Sequence, residues 1–106
     1  MIVRVWRAVA RAERSDAYLA YFGETGQREY LATPGFRGLR ILRRPVPDGV
    51  EWVLMTTWES WDAIRAFAGP NPELAVYYPD DADYFVELPE HVEHYELLLD
   101  AVPDSG

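Results

Sequence analysis

Four stretches of this chain are built from short apolar runs or from alternating apolar and polar residues. They are rich in valine, isoleucine, leucine and aromatic residues, which favour extended backbone. A Thr-Pro-Gly turn at residues 33–35 precedes the second stretch, and a Val-Pro-Asp-Gly-Val turn at 46–50 joins the second to the third as a hairpin. The pattern predicts strands at residues 2–10, 36–44, 50–58 and 91–99.

Two segments between these strands have helical spacing instead. Residues 16–30 follow Ser15, whose side chain is of the kind that caps a helix N-terminus. Residues 60–68 place their apolar side chains on one face, with Ser60 as the predicted cap and Gly69 at the end. The order βαββαβ predicts an α+β, ferredoxin-like fold, in which a four-stranded antiparallel sheet carries both helices on one face.

The sheet face without helices is also predicted to be apolar. A strand with one face in water normally alternates apolar and polar residues. On the first strand, however, Val3 and Val5 point to one face and Ile2 and Trp6 to the other. The third strand likewise has apolar residues on both faces. The sequence therefore predicts a homodimer that buries sheet against sheet.

Composition narrows the class of protein. The 106 residues are expected to form a single domain over 1–106, with an ordered core at about 2–99. A net charge of -8 disfavours nucleic acid and anionic membranes, and no apolar run reaches the roughly 20 residues of a membrane span. The absence of cysteine and of a signal-like N-terminus favours a soluble, cytoplasmic protein. No cluster has the pattern of a metal site.

Histidine is the first candidate for acid–base chemistry. The two histidines, His91 and His94, are three residues apart on the last strand and therefore point to opposite faces. His94 shares its face with Val92 and is the better candidate for a general base in an apolar pocket. A core histidine bonded to a tyrosine or a carbonyl is the structural alternative of equal weight.

Aromatic residues and one arginine complete the candidate site. Tyr77 and Tyr78 lie in a long, tyrosine-rich connection, where one of them is expected to point into the space between helices and sheet. The second strand carries four arginines, which suits a solvated edge strand, but Arg40 shares a face with Leu42 and is the candidate to hold a substrate oxyanion. Gly23 and Gly26 either leave space for a flat ligand or mark a break in the first helix. The predicted pocket-lining aromatic residues are Trp6, Phe22, Trp58 and Trp61, and core filling is the alternative for the last two.

Three segments together resemble the antibiotic biosynthesis monooxygenase family: residues 58–68 (WESWDAIRAFA), 76–81 (VYYPDD) and 91–96 (HVEHYE). The resemblance extends over residues 2–99 and implies a dimeric α+β barrel. It also implies cofactor-independent oxidation of phenolic polyketides such as anthrones, in a pocket between helices and sheet. In that function His94 would be the base, Tyr77 or Tyr78 and Arg40 would stabilise an oxyanion, and Trp6 would form part of the wall.

The chain departs from this family in two places. Well-understood quinone-forming and haem-degrading relatives use an asparagine on a strand, whereas the only asparagine here is Asn71, between two prolines. The haem-degrading relatives also take their iron ligand from the second helix, and residues 60–68 contain no histidine. No cofactor is therefore expected. The alternative function is a non-catalytic, dimeric accessory module that binds a small apolar molecule, with haem among the candidates.

Overall fold

Helices and strands follow one another in the predicted βαββαβ order. The computed structural model describes residues 1–103. Its strands are β1 (Ile2–Ala10), β2 (Phe36–Val46), β3 (Gly49–Trp58) and β4 (Glu93–Glu96), and its α-helices are α1 (Ser15–Glu24), α2 (Gly26–Ala32), α3 (Trp61–Ala68) and α4 (Asp81–Tyr84). A short 3-10 turn, Ala12–Arg14, precedes α1.

The four strands form one antiparallel sheet in the order β2-β3-β1-β4, which confirms the ferredoxin-like fold. Directly opposed residues in an antiparallel pair share a face. Trp6 pairs with Leu54 on the face that packs against α1 and α2, and both Val5 and Arg40 pair with Met55 on the other face. We call these the inner and the outer face.

The predicted first helix is two helices. It breaks at Thr25, whose N–H donates to the carbonyl oxygens of Tyr21 and Phe22 as a terminating turn does. Gly26 then begins α2 beneath the Phe22 ring, and a Cβ at Gly26 would lie 2.8 Å from that ring. Gly26 therefore accommodates an aromatic side chain rather than a ligand, and Gly23 is exposed.

Ser15 is not the N-cap of α1, so that prediction is wrong. Its hydroxyl oxygen instead accepts hydrogen bonds from Trp52 Nε1 at 3.0 Å and from Arg43 at 3.2 Å, and Ser15 is itself the first helical residue. Ser60 does cap α3, because its hydroxyl oxygen accepts from the Ala63 N–H at 3.1 Å.

The last strand is shorter than predicted because it has no β1 partner beyond one end and bonds to a different segment at the other. Ile2 pairs with Glu96, so the residues beyond Leu97 run past the end of β1 and find no ladder partner. At the other end, Val92 N–H donates to Glu73 O, and His91 forms an isolated bridge with Leu74. The segment before β4 is thus bonded to the long connection that follows α3.

The core lies between the inner face and the helices and is largely aromatic. Trp58 is fully buried, and its ring lies 5.3 Å from Phe36 and 5.6 Å from Phe67. Tyr18 packs edge-on against Phe85, with ring centroids 4.6 Å apart. Within residues 1–103, no helix is both long enough and apolar enough to span a membrane.

Candidate functional site

A small cavity of about 30 Å³ lies between the inner face, helices α1 and α2, and the connection after α3. Its volume is about that of one water molecule in the liquid. An apolar void of about 10 Å³ adjoins it and shares four of its lining side chains. The cavity is lined by Arg4, Trp6, Tyr18, Phe22, Gly26, Tyr30, Leu54, Val76, Tyr77, Tyr78, Asp81 and Val92.

Arg4 places a buried positive charge on the cavity wall. The residue is only 3% exposed, and its guanidinium donates to the carbonyl oxygen of Leu74 at 2.8 Å and to that of Pro72. Burial lowers the pKa of Arg4, but an arginine remains protonated at neutral pH. No carboxylate forms an ion pair with Arg4 in the described part of the chain. Its charge is balanced by neutral acceptors, the two carbonyl oxygens and the Nε2 of His94, and such an environment attracts an anion.

Asp81 places a buried carboxyl group on the same cavity. It is 4% exposed and begins α4, and its Oδ2 accepts a hydrogen bond from the Tyr78 N–H at 2.7 Å. Oδ1 is buried and has no hydrogen-bond partner among residues 1–103. Burial raises the pKa of Asp81, the Tyr78 N–H opposes that shift, and the neighbouring Asp80 adds to it.

Two buried tyrosines supply the remaining polar wall. Tyr18 and Tyr30 are each less than a tenth exposed, and neither hydroxyl forms a hydrogen bond within the described chain. Burial raises the pKa of both, and the charge of Asp81 raises both further, while the Arg4 charge opposes the shift at Tyr30. Both therefore stay protonated and keep a hydroxyl proton to donate.

Tyr77 and Tyr78 both line the cavity, but their hydroxyl groups are already bonded. Tyr77 accepts a hydrogen bond from Trp6 Nε1 at 3.0 Å and donates to the carbonyl oxygen of Pro89. The Tyr78 hydroxyl donates to Glu29 on α2. The two residues hold the connection closed over the cavity, and their rings form part of its wall.

His94 does not line the cavity, so its predicted placement there is wrong. It faces Arg4 across the β1–β4 pair, and its Nε2 accepts from an Arg4 N–H at 3.1 Å. Burial and the Arg4 charge lower the pKa of His94, so the ring is neutral at pH 7 with its proton on Nδ1. Its ring lies 4.9 Å from Trp61 beside an open cleft of about 520 Å³.

The structure separates three other predicted site residues from the cavity. Arg40 does share a face with Leu42, but that is the outer face, away from the helices. Trp58 is core, because its fully buried ring packs among other aromatic rings and its Nε1 donates to Thr56 at 2.9 Å. Trp61 is 43% exposed beside His94. Trp6 and Phe22, in contrast, line the cavity.

Sequence reasoning missed Arg4, Asp81, Tyr18 and Tyr30. Strand alternation places Arg4 on the same face as Trp6, and a charged residue at an inward position was the available signal. Nothing local distinguishes Asp81 from the exposed Asp80 beside it.

Groups of three or more side chains that could together bind a metal ion do not occur within residues 1–103.

Comparison with known proteins places this geometry in context. The family model described as antibiotic biosynthesis monooxygenase matches residues 1–70. A search of curated proteins gives no significant match.

Solved structures with the same fold cover nearly the whole chain. A haem-degrading protein from Mycobacterium tuberculosis has 23% identity and a TM-score of 0.64, covering 95% of this chain and 98% of its own. A monooxygenase from Streptomyces coelicolor, in complex with nanaomycin D, has 17% identity and a TM-score of 0.62, with coverages of 97% and 92%. A cofactor-independent oxygenase from Streptomyces nogalater has 19% identity and a TM-score of 0.54, with coverages of 97% and 97%. At these identities the likeness shows a shared fold.

Proposed function

Because the chain belongs to the antibiotic biosynthesis monooxygenase family, we propose that it oxidises a small aromatic, polyketide-type substrate with dioxygen in the cavity between helices and sheet. The reaction uses no bound cofactor, in line with the structural similarity to the cofactor-independent oxygenase from Streptomyces nogalater. The complex of the Streptomyces coelicolor monooxygenase with nanaomycin D supports an aromatic polyketide-type ligand.

One observation carries the proposal: Arg4 is a buried cation without a carboxylate partner, on the wall of an aromatic cavity. In a site of low dielectric, a fixed cation stabilises a developing anion far more than it would in water. Trp6 and Phe22 supply flat apolar surface for a ring system, and Tyr18 and Tyr30 supply hydroxyl donors. His94 accepts from Arg4, so we assign it the role of positioning the guanidinium rather than that of base.

The oxidation balances without an added reductant. A methylene carbon between aromatic rings loses a proton, and the electron pair left on the substrate reduces dioxygen as a carbon–oxygen bond forms. The resulting peroxide takes up a proton and then loses water, which leaves a carbonyl group. One CH₂ group and one O₂ thus give one C=O group and one H₂O.

Substrate entry requires the connection over the cavity to move, because 30 Å³ does not hold a ring system. Three hydrogen bonds tie this segment to the sheet and to α1 and α2: Tyr78 to Glu29, Trp6 to Tyr77, and the Asp80 N–H to the Tyr21 hydroxyl at 2.9 Å. We propose that residues 76–81 move outward as one unit to admit the ligand, because the Tyr78–Asp81 turn is held by its own hydrogen bonds and keeps the Asp81 carboxyl group facing the cavity.

Oxygen uptake by metal-free and flavin-free protein tests the proposal. The substrate panel consists of anthrones and hydroquinones, and the product is identified by mass spectrometry with ¹⁸O₂. For an anthrone, which has the methylene carbon, we expect one labelled oxygen atom in a carbonyl product per O₂ consumed. A hydroquinone can be oxidised to a quinone without taking up label. Binding of the panel without uptake above the protein-free rate would contradict oxygenation.

The closed cavity favours one second candidate function, a dimeric binding or accessory module. Such a module needs the same apolar wall but no proton acceptor, and it would bind members of the panel without consuming oxygen. Haem does not fit this site. The lining of the cavity includes no histidine to bind the iron. His94 lies outside the cavity, and its Nε2 is bonded to Arg4.

We also propose that two copies pack through their outer sheet faces. This face forms an open groove of about 720 Å³ whose lining includes Val3, Leu42, Val53 and Met55. An exposed apolar surface on the middle of a sheet marks an interaction site, and a small chain benefits from the added core.

Met55→Glu tests the dimer, because Met55 pairs with both Val5 and Arg40 in the middle of the outer face. A carboxylate buried there would be desolvated without a matched partner in the second copy. Light scattering at micromolar concentration is expected to give about twice the 12.2 kDa chain mass for the natural protein, and the chain mass for the variant.

Leu31→Glu is the matched control, since Leu31 is exposed on α2 away from the sheet. It is expected to remain dimeric. A natural protein that has the mass of one chain at this concentration would refute the dimer.

A further inference from the structure

We infer that Asp81 is the proton acceptor of the site: its carboxylate removes a proton from a neutral carbon acid or phenol, and Arg4 holds the anion that forms. The inference rests on the proposed function and names the acid–base pair and the substrate class. The proton moves to Asp81, and the electron pair stays on the substrate, where it reduces dioxygen.

The geometry sets Asp81 apart from the other acidic residues. Its side chain is buried on the cavity wall, whereas Asp80 and Asp83 beside it are exposed. Oδ2 accepts from the Tyr78 N–H, while Oδ1 keeps its lone pairs unused in the described structure. A buried carboxylate oxygen without a partner is costly for folding, and such costs concentrate at functional sites.

The surrounding backbone holds this carboxyl group in place. The Asp81 N–H donates to Tyr78 O at 3.0 Å, while Oδ2 accepts from the Tyr78 N–H at 2.7 Å. These reciprocal bonds close the turn of residues 78–81 and fix the orientation of the carboxyl group within it. Proton transfer requires such a fixed acceptor, since a small displacement lowers its rate steeply.

The charged and titratable groups around Asp81 suit a proton acceptor. Asp81 and Arg4 line the same cavity but form no ion pair within 4.0 Å, so the two charges can act on different atoms of one substrate. Burial raises the pKa of Asp81, which makes it a stronger base than an exposed aspartate. The titratable and charged groups that face it are Tyr18 and Tyr21 from α1, Tyr30 from α2, Arg4 from β1, and Tyr77, Tyr78 and Asp80 from its own segment.

This pair of charges selects the form in which the substrate enters. A ligand that carries its own carboxylate would meet the Asp81 charge, whereas a neutral phenol or anthrone meets an acceptor for its proton. After the transfer, Asp81 is neutral and the substrate anion faces Arg4. The substrate class is therefore a neutral aromatic carbon acid or phenol whose conjugate base is delocalised.

Asp81→Asn tests the inference, with Asp83→Asn as the matched control, because Asp83 is exposed on the same helix and does not line the cavity. Asparagine keeps an acceptor for the Tyr78 N–H but accepts no proton. For an anthrone that is neutral at the assay pH, kcat/KM is expected to fall at least about 100-fold in Asp81→Asn and to stay within about 2-fold in Asp83→Asn. Asp81→Asn is also expected to retain turnover of a panel member that is already ionised at the assay pH.

The pH profile of the natural protein provides a test that needs no variant. Turnover of a neutral substrate should rise as the pH passes upward through the raised pKa of Asp81, and this acid limb should be missing for a substrate already ionised over the same range. If oxygen uptake by Asp81→Asn equals that of the natural protein, or if both substrates show the same acid limb, the inference is overturned. The proposed function would still stand. No uptake by the natural protein would overturn both.

Discussion

Replacement of Arg4 by methionine is expected to lower kcat/KM for oxygen uptake by about 100- to 1000-fold, the usual effect of removing one stabiliser of a developing anion. The same change should lower the free energy of unfolding by about 2–4 kcal/mol. Methionine fills most of the volume, but the carbonyl oxygens of Pro72 and Leu74 lose their buried donor. Removing the buried charge offsets part of that loss.

Arg65→Met is the matched control for this change. Arg65 lies on α3, outside both the cavity and the outer sheet face, and forms an exposed pair with Asp62 at 3.3 Å. Exposed pairs contribute about 1 kcal/mol or less, so stability and turnover should change little. Urea unfolding and oxygen uptake measure the two effects, and similar losses in both variants would contradict the assigned role of Arg4.

Arg4→Lys separates charge from geometry. Lysine keeps the positive charge but lacks the planar fork that reaches Leu74, Pro72 and His94 together. We expect the turnover rate of Arg4→Lys to lie between the rates of the natural protein and of Arg4→Met, because the cation remains but is poorly placed.

Replacement of Trp58 by alanine is expected to have the largest effect on stability, about 4 kcal/mol. The side chain is fully buried, and its removal leaves a void among Tyr30, Phe36 and Phe67. Thr56 Oγ1 also loses the indole N–H that donates to it. Since domains are typically stable by about 5–15 kcal/mol, the variant should unfold at a much lower urea concentration or fail to fold.

Trp61→Ala makes the same chemical change at the exposed tryptophan of α3. With 43% of its surface in water, Trp61 should contribute about 1 kcal/mol or less. Chemical unfolding of both variants at equal protein concentration measures the difference. A loss in Trp61→Ala as large as that in Trp58→Ala would show that the aromatic core is not where the structure places it.

Local signals predicted the order of the elements and the cap of α3, because they depend on residues close in sequence. Ser60, for example, bonds to an N–H three residues away. Ser15 carries the same signal, yet its hydroxyl accepts from Trp52, a residue 37 positions away that only the folded chain brings near. Local capping rules cannot anticipate such a competitor.

The cavity was harder to predict than the fold for the same reason. The alternation of side chains along the last strand correctly placed His94 on the inner face. Arg4, however, occupies the neighbouring position on β1 and bonds to the Nε2 of His94. Arg4 itself appears in the sequence as an ordinary strand cation, because the carbonyl groups that accept from it lie 68 and 70 residues away. Strand alternation identifies the face to which a side chain points, whereas the contacts that the side chain makes on that face depend on tertiary packing.

The central claim, that the aromatic ligand binds between helices and sheet, is tested most directly by titrating ¹⁵N-labelled protein with an anthrone and following the four tryptophan indole signals. Trp6 Nε1 donates to Tyr77 on the cavity wall, and Trp61 lies beside His94 at the separate open cleft. The account predicts that the Trp6 indole signal shifts with saturation while the Trp61 signal stays in place. A shift of Trp61 with Trp6 unchanged would contradict it and place the ligand at the cleft.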